Sequence, residues 1–144
     1  LVEEEGLELG VMHSRDSDLK FMVNPRLDPW KKPVAVLVDE GSASTTEILA
    51  QGLKDLQVAR IFGRTTAGAA LPSMIESLPC GDLMQYAIAG YRSRSGQRLE
   101  GIGVVPDEVI PVDIDKIRGE GDPILQSALR WFRGNAGVGT SPGR

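Results

Sequence analysis

The sequence has 144 residues, a formal net charge of −4 and a single cysteine, Cys80. This length suits one domain, or part of a larger one, that can bury a hydrophobic core. Nucleic-acid binding is not expected, because no basic patch with interleaved aromatic residues is present. No apolar run approaches the roughly 20 residues that a membrane-spanning helix needs. One cysteine excludes an internal disulfide and a cysteine-based zinc site.

The first part of the chain predicts two strands followed by a connection. The sequence begins with Leu1 instead of methionine, so we expect a processed product or an excised piece. Apolar residues predict strands at 7–12 and 19–23, on either side of a polar turn at 15–18. Two prolines within 24–32 indicate a connecting segment.

The middle of the chain has a strand–helix–strand pattern. The short valine-rich run 34–38 predicts a buried strand, and apolar residues on one face predict a helix at 45–56. The next apolar run, 58–62, predicts a second strand. A crossover of this length implies a parallel, right-handed βαβ unit.

The second half of the chain predicts short strands and one more helix. The strands are expected at 74–78, 83–91 and 108–112. Asp122 followed by Pro123 is typical of a helix start, since aspartate caps the first turn and proline fits its first position. The glycine-rich end of the chain predicts disorder.

Ser44 lies in a turn of small residues between the buried strand and the central helix. Backbone N–H groups at a helix start have no partner within the helix, so a hydroxyl there can act as a nucleophile beside an oxyanion site. Ser44 and Glu47 also have the spacing of a capping box, which needs no catalysis. Local pattern alone leaves both interpretations open.

Three motifs in one order connect this turn with a known family. They are Gly-Ser-Ala-Ser at 41–44, Gly-Arg-Thr-Thr-Ala-Gly at 63–68 and Gly-Ile-Gly-Val-Val-Pro-Asp at 101–107. Over roughly residues 33–132 the chain resembles the C-terminal (tail-specific) processing peptidases, serine peptidases related to the tricorn protease and the retinoid-binding protein repeats. The resemblance implies an α/β, crotonase-like fold of ββα units around a mixed, mainly parallel sheet, as the C-terminal portion of a larger protease domain.

The resemblance assigns the nucleophile and part of the oxyanion hole. It implies that Ser44 is the nucleophile and that the amide of Thr45 is one oxyanion donor, which agrees with their place at a helix start. The family's second donor comes from a Gly-Gly segment. The sequence has no such pair, so we expect that donor upstream of Leu1. No cofactor or metal is expected.

The general base is the main departure from the family pattern. Processing peptidases carry a lysine about 25 residues after the serine, and Ala69 occupies that position here. One explanation is the tricorn-like branch, in which a histidine far upstream is the base; Glu100 then resembles the glutamate that orients it. The other explanation is an inactive homologue that serves as a binding module. Glu100 favours the first.

The titratable residues near these motifs offer no replacement base. His13 is the only histidine, but nothing in the sequence brings its polar turn to Ser44, so a solvated side chain is favoured. Asp55 matches the family's helix aspartate, and we expect a structural role for it with Lys54 or Arg60 as partner.

Together these observations predict a serine endopeptidase of the C-terminal processing type. Residues 1–134 are expected to form the nucleophile-bearing part of a peptidase domain and 135–144 a disordered tail. The expected partners are a polypeptide substrate engaged near its C-terminus, the upstream part of the parent protein and a second copy in a homo-oligomer. By resemblance alone, the location is extracytoplasmic. The alternatives are a non-catalytic binding module or, less favoured, an acyl-CoA enzyme on the same fold.

Overall fold

The computed structural model of the chain describes residues 6–113, 117, 119 and 121–135. In chain order, the helices and strands are β1 (Glu8–His13), β2 (Asp18–Met22), β3 (Ala35–Val38), α1 (Thr45–Asp55), β4 (Arg60–Gly63), β5 (Ser73–Ser77), β6 (Leu83–Ala87), β7 (Gly90–Ser93), β8 (Glu108–Val109) and α2 (Pro123–Asn135). The strands form a parallel sheet in the order β3-β4-β8, an antiparallel sheet in the order β2-β1-β7 and a separate hairpin of β5 and β6.

The parallel sheet forms the centre of the fold, with a helix on each face. Strands β3 and β4 pair in parallel, joined by α1, which confirms the predicted strand–helix–strand unit. Successive strand residues point to opposite faces of a sheet. Ile61 therefore belongs to the cluster that includes Ile48 of α1, whereas Phe62 packs with Ile124 and Ala128 of α2. The α/β class predicted from the sequence is confirmed.

The antiparallel sheet packs against α1 on the side away from α2. Tyr91 of β7 is buried there, and its ring meets Phe21 edge to face at a centroid distance of 5.8 Å. Leu9 of β1 lies against Gly52 in the middle of α1. Glycine at this position lets the strand approach the helix closely.

The predicted strand at 83–91 is wrong in one respect, because the structure has two strands there. Strand β6 pairs with β5, whereas β7 pairs with β1, so the chain changes partner between Ala87 and Gly90. The hairpin that results is exposed along both of its strands. Apolar and polar residues mix on both sides of this segment, so its sequence pattern does not show the change of partner.

Helix α2 begins as expected. The Asp122 carboxylate accepts hydrogen bonds from the N–H groups of Ile124 (2.8 Å) and Leu125 (3.3 Å), which caps the first turn. The helix ends at Asn135, the first residue of the predicted tail, and 136–144 lie outside the described residues. In the described part of the chain, neither helix has the length and apolar content needed to cross a bilayer.

The contact between α1 and β1 can be tested at Gly52. A Cβ at this position would lie 2.6 Å from Leu9 Cδ2 and 2.7 Å from Leu9 Cβ. We expect Gly52→Ala to lower the free energy of unfolding by about 1–3 kcal/mol, as overpacked cores do, although alanine is the better helix former by about 1 kcal/mol. Urea unfolding followed by circular dichroism measures this change.

Gly134→Ala in α2 is the matched control, because nothing lies within 4 Å of a Cβ there. It should stabilise the protein slightly, by up to about 1 kcal/mol. Stabilisation by both substitutions would contradict the close packing of Leu9 on α1.

Candidate active site

Ser44 is the last residue of the connection between β3 and α1, and its backbone conformation is strained. Its φ is 60° and its ψ is −127°, a region that residues with a side chain rarely adopt. Holding such a residue costs about 1–3 kcal/mol, and sharp strand-to-helix turns of this kind present a serine hydroxyl at the top of a sheet. Ser44 is exposed to solvent, whereas Glu47 and Ile48, one turn further on, are buried.

Ser44 and Glu47 interact at the start of α1. The two residues have the arrangement of a capping box, in which the Ser44 N–H donates to Glu47 Oε2 at 3.0 Å. The Glu47 N–H donates to the Ser44 carbonyl oxygen at 2.9 Å. A capping box and an exposed serine side chain thus occur together at this turn.

Thr45 follows as the first residue of α1. Among the described residues, no group accepts a hydrogen bond from this N–H. Thr45 itself is exposed. A free amide at the positive end of a helix dipole, one residue from an exposed hydroxyl, has the arrangement that stabilises an oxyanion.

The Glu47 carboxylate is the main organiser of this site. It is fully buried, and Oε1 accepts hydrogen bonds from Thr66 Oγ1 (2.5 Å) and the Gly68 N–H (2.7 Å). Oε2 accepts from the Ala69 N–H at 2.9 Å as well as from the Ser44 N–H. Four donors satisfy a buried charge that would otherwise be costly. In the sequence, this residue is marked by its capping-box spacing from Ser44 and by its place at the start of the helix.

The glycine-rich segment at 101–104 packs against the loop around Gly68. The Gly101 N–H donates to the Gly68 carbonyl at 2.8 Å, and the Val104 N–H donates to Thr66 Oγ1 at 2.7 Å. A Cβ on Gly103 would lie 2.4 Å from the Thr66 carbonyl oxygen, so only glycine fits. The sequence motifs at 63–68 and 101–107 thus pack against each other through their backbones.

Position 69 is an immediate neighbour of the serine. The Ala69 carbonyl accepts a hydrogen bond from the Ser44 N–H at 3.0 Å. Alanine has no side-chain atom that can accept a proton. Lys54 does not compensate, because its Nζ binds Asp107 Oδ1 at 3.0 Å and the Val105 carbonyl at 2.6 Å.

Glu100 lies beside this loop, and its Oε2 binds backbone. That oxygen accepts hydrogen bonds from the N–H groups of Ala70 (2.8 Å) and Leu71 (3.1 Å). Glu100 also lines a cavity of about 520 Å³ together with His13. His13 is exposed, and its Nδ1 lies 2.8 Å from Asp18 Oδ1. The nearness of His13 and Glu100 depends on the pairing of β1 with β7, which the sequence does not show.

Asp55 has a structural position, but its expected partners were wrong. Its carboxylate accepts hydrogen bonds from Gln51 Nε2 (2.8 Å) and the Ser95 N–H (3.0 Å). Lys54 pairs with Asp107, and Arg60 pairs with Glu108 at 3.3 Å. Nearness in sequence suggested these two cations as partners of Asp55. In the tertiary structure they pair instead with the two carboxylates that follow Pro106, Asp107 and Glu108.

Tyr91 carries the one strongly shifted pKa in this part of the molecule. Burial, with a smaller contribution from the Asp55 carboxylate, raises the pKa of Tyr91 to about 12. Its hydroxyl donates to the Leu9 carbonyl at 3.0 Å. Tyr91 is therefore a neutral structural donor and not an acid or base for chemistry near neutral pH.

Comparison with protein families agrees with this arrangement. The model of Peptidase family S41 matches residues 8–110, which include the serine turn, the loop around Gly68 and the glycine-rich segment. This is most of the chain, and the chain belongs to peptidase family S41. The resemblance to the processing peptidases is confirmed.

Individual relatives cover much of the chain but are themselves longer. A carboxyl-terminal-processing protease from Synechocystis is 31% identical over 110 residues, which are 74% of this chain and 26% of the relative. A chloroplastic C-terminal processing peptidase from Tetradesmus obliquus is 36% identical over 90 residues, 59% of this chain and 19% of the relative. The chain thus spans about a quarter or less of these relatives.

A solved structure supports the fold. The photosystem II D1 C-terminal processing protease superposes with a TM-score of 0.64 at 27% sequence identity, over 86% of this chain and 33% of that one. The mixed α/β arrangement described above is therefore that of part of a larger protease domain.

The organising role of Glu47 can be tested with Glu47→Gln. An amide presents one acceptor where the carboxylate presents two, so buried N–H groups lose their partner. Hydrogen bonds to a charged group contribute about 1.5–3 kcal/mol each, so we expect the free energy of unfolding to fall by about 2 kcal/mol or more. Urea unfolding measures it.

Glu76→Gln on the exposed hairpin is the control. It makes the same chemical change on the surface, where Glu76 accepts an exposed hydrogen bond from the Tyr86 hydroxyl at 3.1 Å that the glutamine carbonyl oxygen can also accept, so we expect a change within about 0.5 kcal/mol. If both variants unfold at the same urea concentration, Glu47 does not hold the site together.

Proposed function

We propose that the protein is a serine peptidase in which Ser44 Oγ attacks the carbonyl carbon of a peptide bond. The observation that carries this proposal is the exposed Ser44 side chain, held in a strained turn next to the Thr45 N–H, which has no acceptor among the described residues. Membership of peptidase family S41 supports it independently. The Thr45 N–H is proposed as one donor to the oxyanion that forms after attack.

The proposed reaction needs a base that the described residues do not supply beside Ser44. Attack transfers the hydroxyl proton to a general base, which later returns it to the leaving amine. Ala69 offers no acceptor at the family's lysine position. We therefore propose that a histidine in another part of the parent protein takes this role, together with a second oxyanion donor.

Glu100 is proposed to orient that histidine. Its Oε2 holds two backbone N–H groups, whereas Oε1 has no hydrogen bond among the described residues. A carboxylate that orients a histidine needs one such oxygen and a fixed position. The bonds to Ala70 and Leu71 supply the fixed position.

The proposed substrate is a polypeptide cleaved near its C-terminus. Relatives named carboxyl-terminal-processing proteases support this proposal. An extracytoplasmic location is also proposed, and a relative named as chloroplastic supports a location outside the cytosol. A homo-oligomer stays a prediction.

A fluorophosphonate probe tests the nucleophile directly, because it reacts covalently with activated serines. We expect the full-length protein to be labelled at Ser44, and Ser44→Ala to abolish the labelling. Ser77→Ala, which removes an exposed hydroxyl on β5, should leave it unchanged. Mass spectrometry of the labelled peptide identifies the site.

Two results would count against the proposal. Labelling that persists in Ser44→Ala would remove Ser44 from the role. No labelling of a folded full-length protein, with no hydrolysis of an unstructured protein, would favour the non-catalytic binding module.

A further inference from the structure

A cavity among the described residues lies beside the loop that contacts Ser44. It has a volume of about 520 Å³ and opens between β1, β7 and the segment around Glu100. Its lining includes His13, Leu71, Tyr91, Arg92, Arg98 and Glu100. The proposed chemistry at Ser44 uses neither of the two arginines.

Arg92 and Arg98 lie directly opposite each other in the wall of this cavity. They are direct partners in an antiparallel bridge between β7 and the segment that returns past it. Like charges directly opposite each other in a sheet repel. Arg92 donates to the Gly96 carbonyl at 3.2 Å, and in the described part of the chain neither arginine forms an ion pair.

The other polar groups of the cavity leave this charge uncompensated. Glu100 uses Oε2 for two backbone N–H groups and makes no ion pair with either arginine in the described part of the chain. His13 already pairs with Asp18, and the Tyr91 hydroxyl donates to the Leu9 carbonyl. The cavity is therefore lined by two exposed arginines and one glutamate, a balance of charge that favours an anionic ligand.

The cavity is close enough to Ser44 to receive part of the same ligand. Leu71, on its wall, is two residues beyond Ala69, whose carbonyl accepts the Ser44 N–H at 3.0 Å. Two residues span at most about 7 Å of chain. A peptide bound at Ser44 would reach the cavity within a few residues.

We propose that this cavity holds a carboxylate of the polypeptide bound at Ser44, with Arg92 and Arg98 as its ligands. The polypeptide part rests on the proposed function. Guanidinium groups bind carboxylates in a bidentate manner, and a carboxylate between two arginines removes their repulsion. The carboxylate comes either from the chain end or from an acidic side chain.

Calorimetric titration in a Ser44→Ala background tests this proposal, because binding is then measured without hydrolysis. The probes are three N-acetylated octapeptides of alanine and serine. One ends in a free carboxylate, one ends in an amide, and one ends in an amide but has glutamate as its last residue. We expect at least one carboxylate peptide to bind about tenfold more tightly than the neutral amide, as hydrogen bonds to a charged group predict.

Substitution of each arginine tests whether the difference in affinity between the peptides arises in the cavity. Arg98→Gln should remove the difference between the peptides, and Arg92→Gln should reduce it. Arg130→Gln, the same change at an exposed position on α2, should leave it intact. Circular dichroism verifies that each variant is folded.

The outcomes separate this proposal from the peptidase proposal. A preference for the free chain end or for the glutamate side chain supports the cavity and identifies the source of the carboxylate, and equal binding of both acidic peptides supports a cavity that accepts either source. Equal affinity for all three peptides, no binding, or a preference that survives Arg98→Gln overturns it. Carboxylate binding without fluorophosphonate labelling would keep the cavity and reject the nucleophile.

Discussion

The arrangement around Ser44 depends on one buried carboxylate. Glu47 accepts hydrogen bonds from the Ser44 N–H, Thr66 Oγ1 and the N–H groups of Gly68 and Ala69. The positive φ of Ser44 costs about 1–3 kcal/mol, whereas each bond to a charged acceptor stabilises by a similar amount. The carboxylate therefore stabilises a turn whose backbone conformation is otherwise unfavourable.

The glycines of the family motifs follow from the same constraint. Once Glu47 fixes the loop after Thr66, the segment at 101–104 must pass within backbone contact of it, because Thr66 also binds the Val104 N–H. Side chains at Gly68 and Gly103 would collide with the facing backbone. The motifs thus correspond to closely packed backbone segments around Ser44, and the Ala69 carbonyl accepts a hydrogen bond from the Ser44 N–H.

Local patterns in the sequence predicted the elements that local interactions determine. The β3–α1–β4 unit and the Asp122 cap were correct because periodicity and capping are short-range properties. The features that were wrong or missed depend on long-range contacts. The chain changes its strand partner after Ala87, and the Asp55 carboxylate accepts a hydrogen bond from the Ser95 N–H. His13 and Glu100 line the same cavity because β1 pairs with β7.

Amide hydrogen exchange, measured by NMR on the folded protein, tests the central claim most directly. The N–H groups of Gly68 and Ala69 donate to Glu47 and to no other acceptor among the described residues, whereas the Thr45 N–H has no acceptor there. We predict that the Gly68 and Ala69 amides exchange on the order of a hundredfold more slowly than the Thr45 amide, since exchange requires the hydrogen bond to open. Exchange of all three at the rate of an unprotected loop would contradict the claim that Glu47 holds the loop beside Ser44 in place.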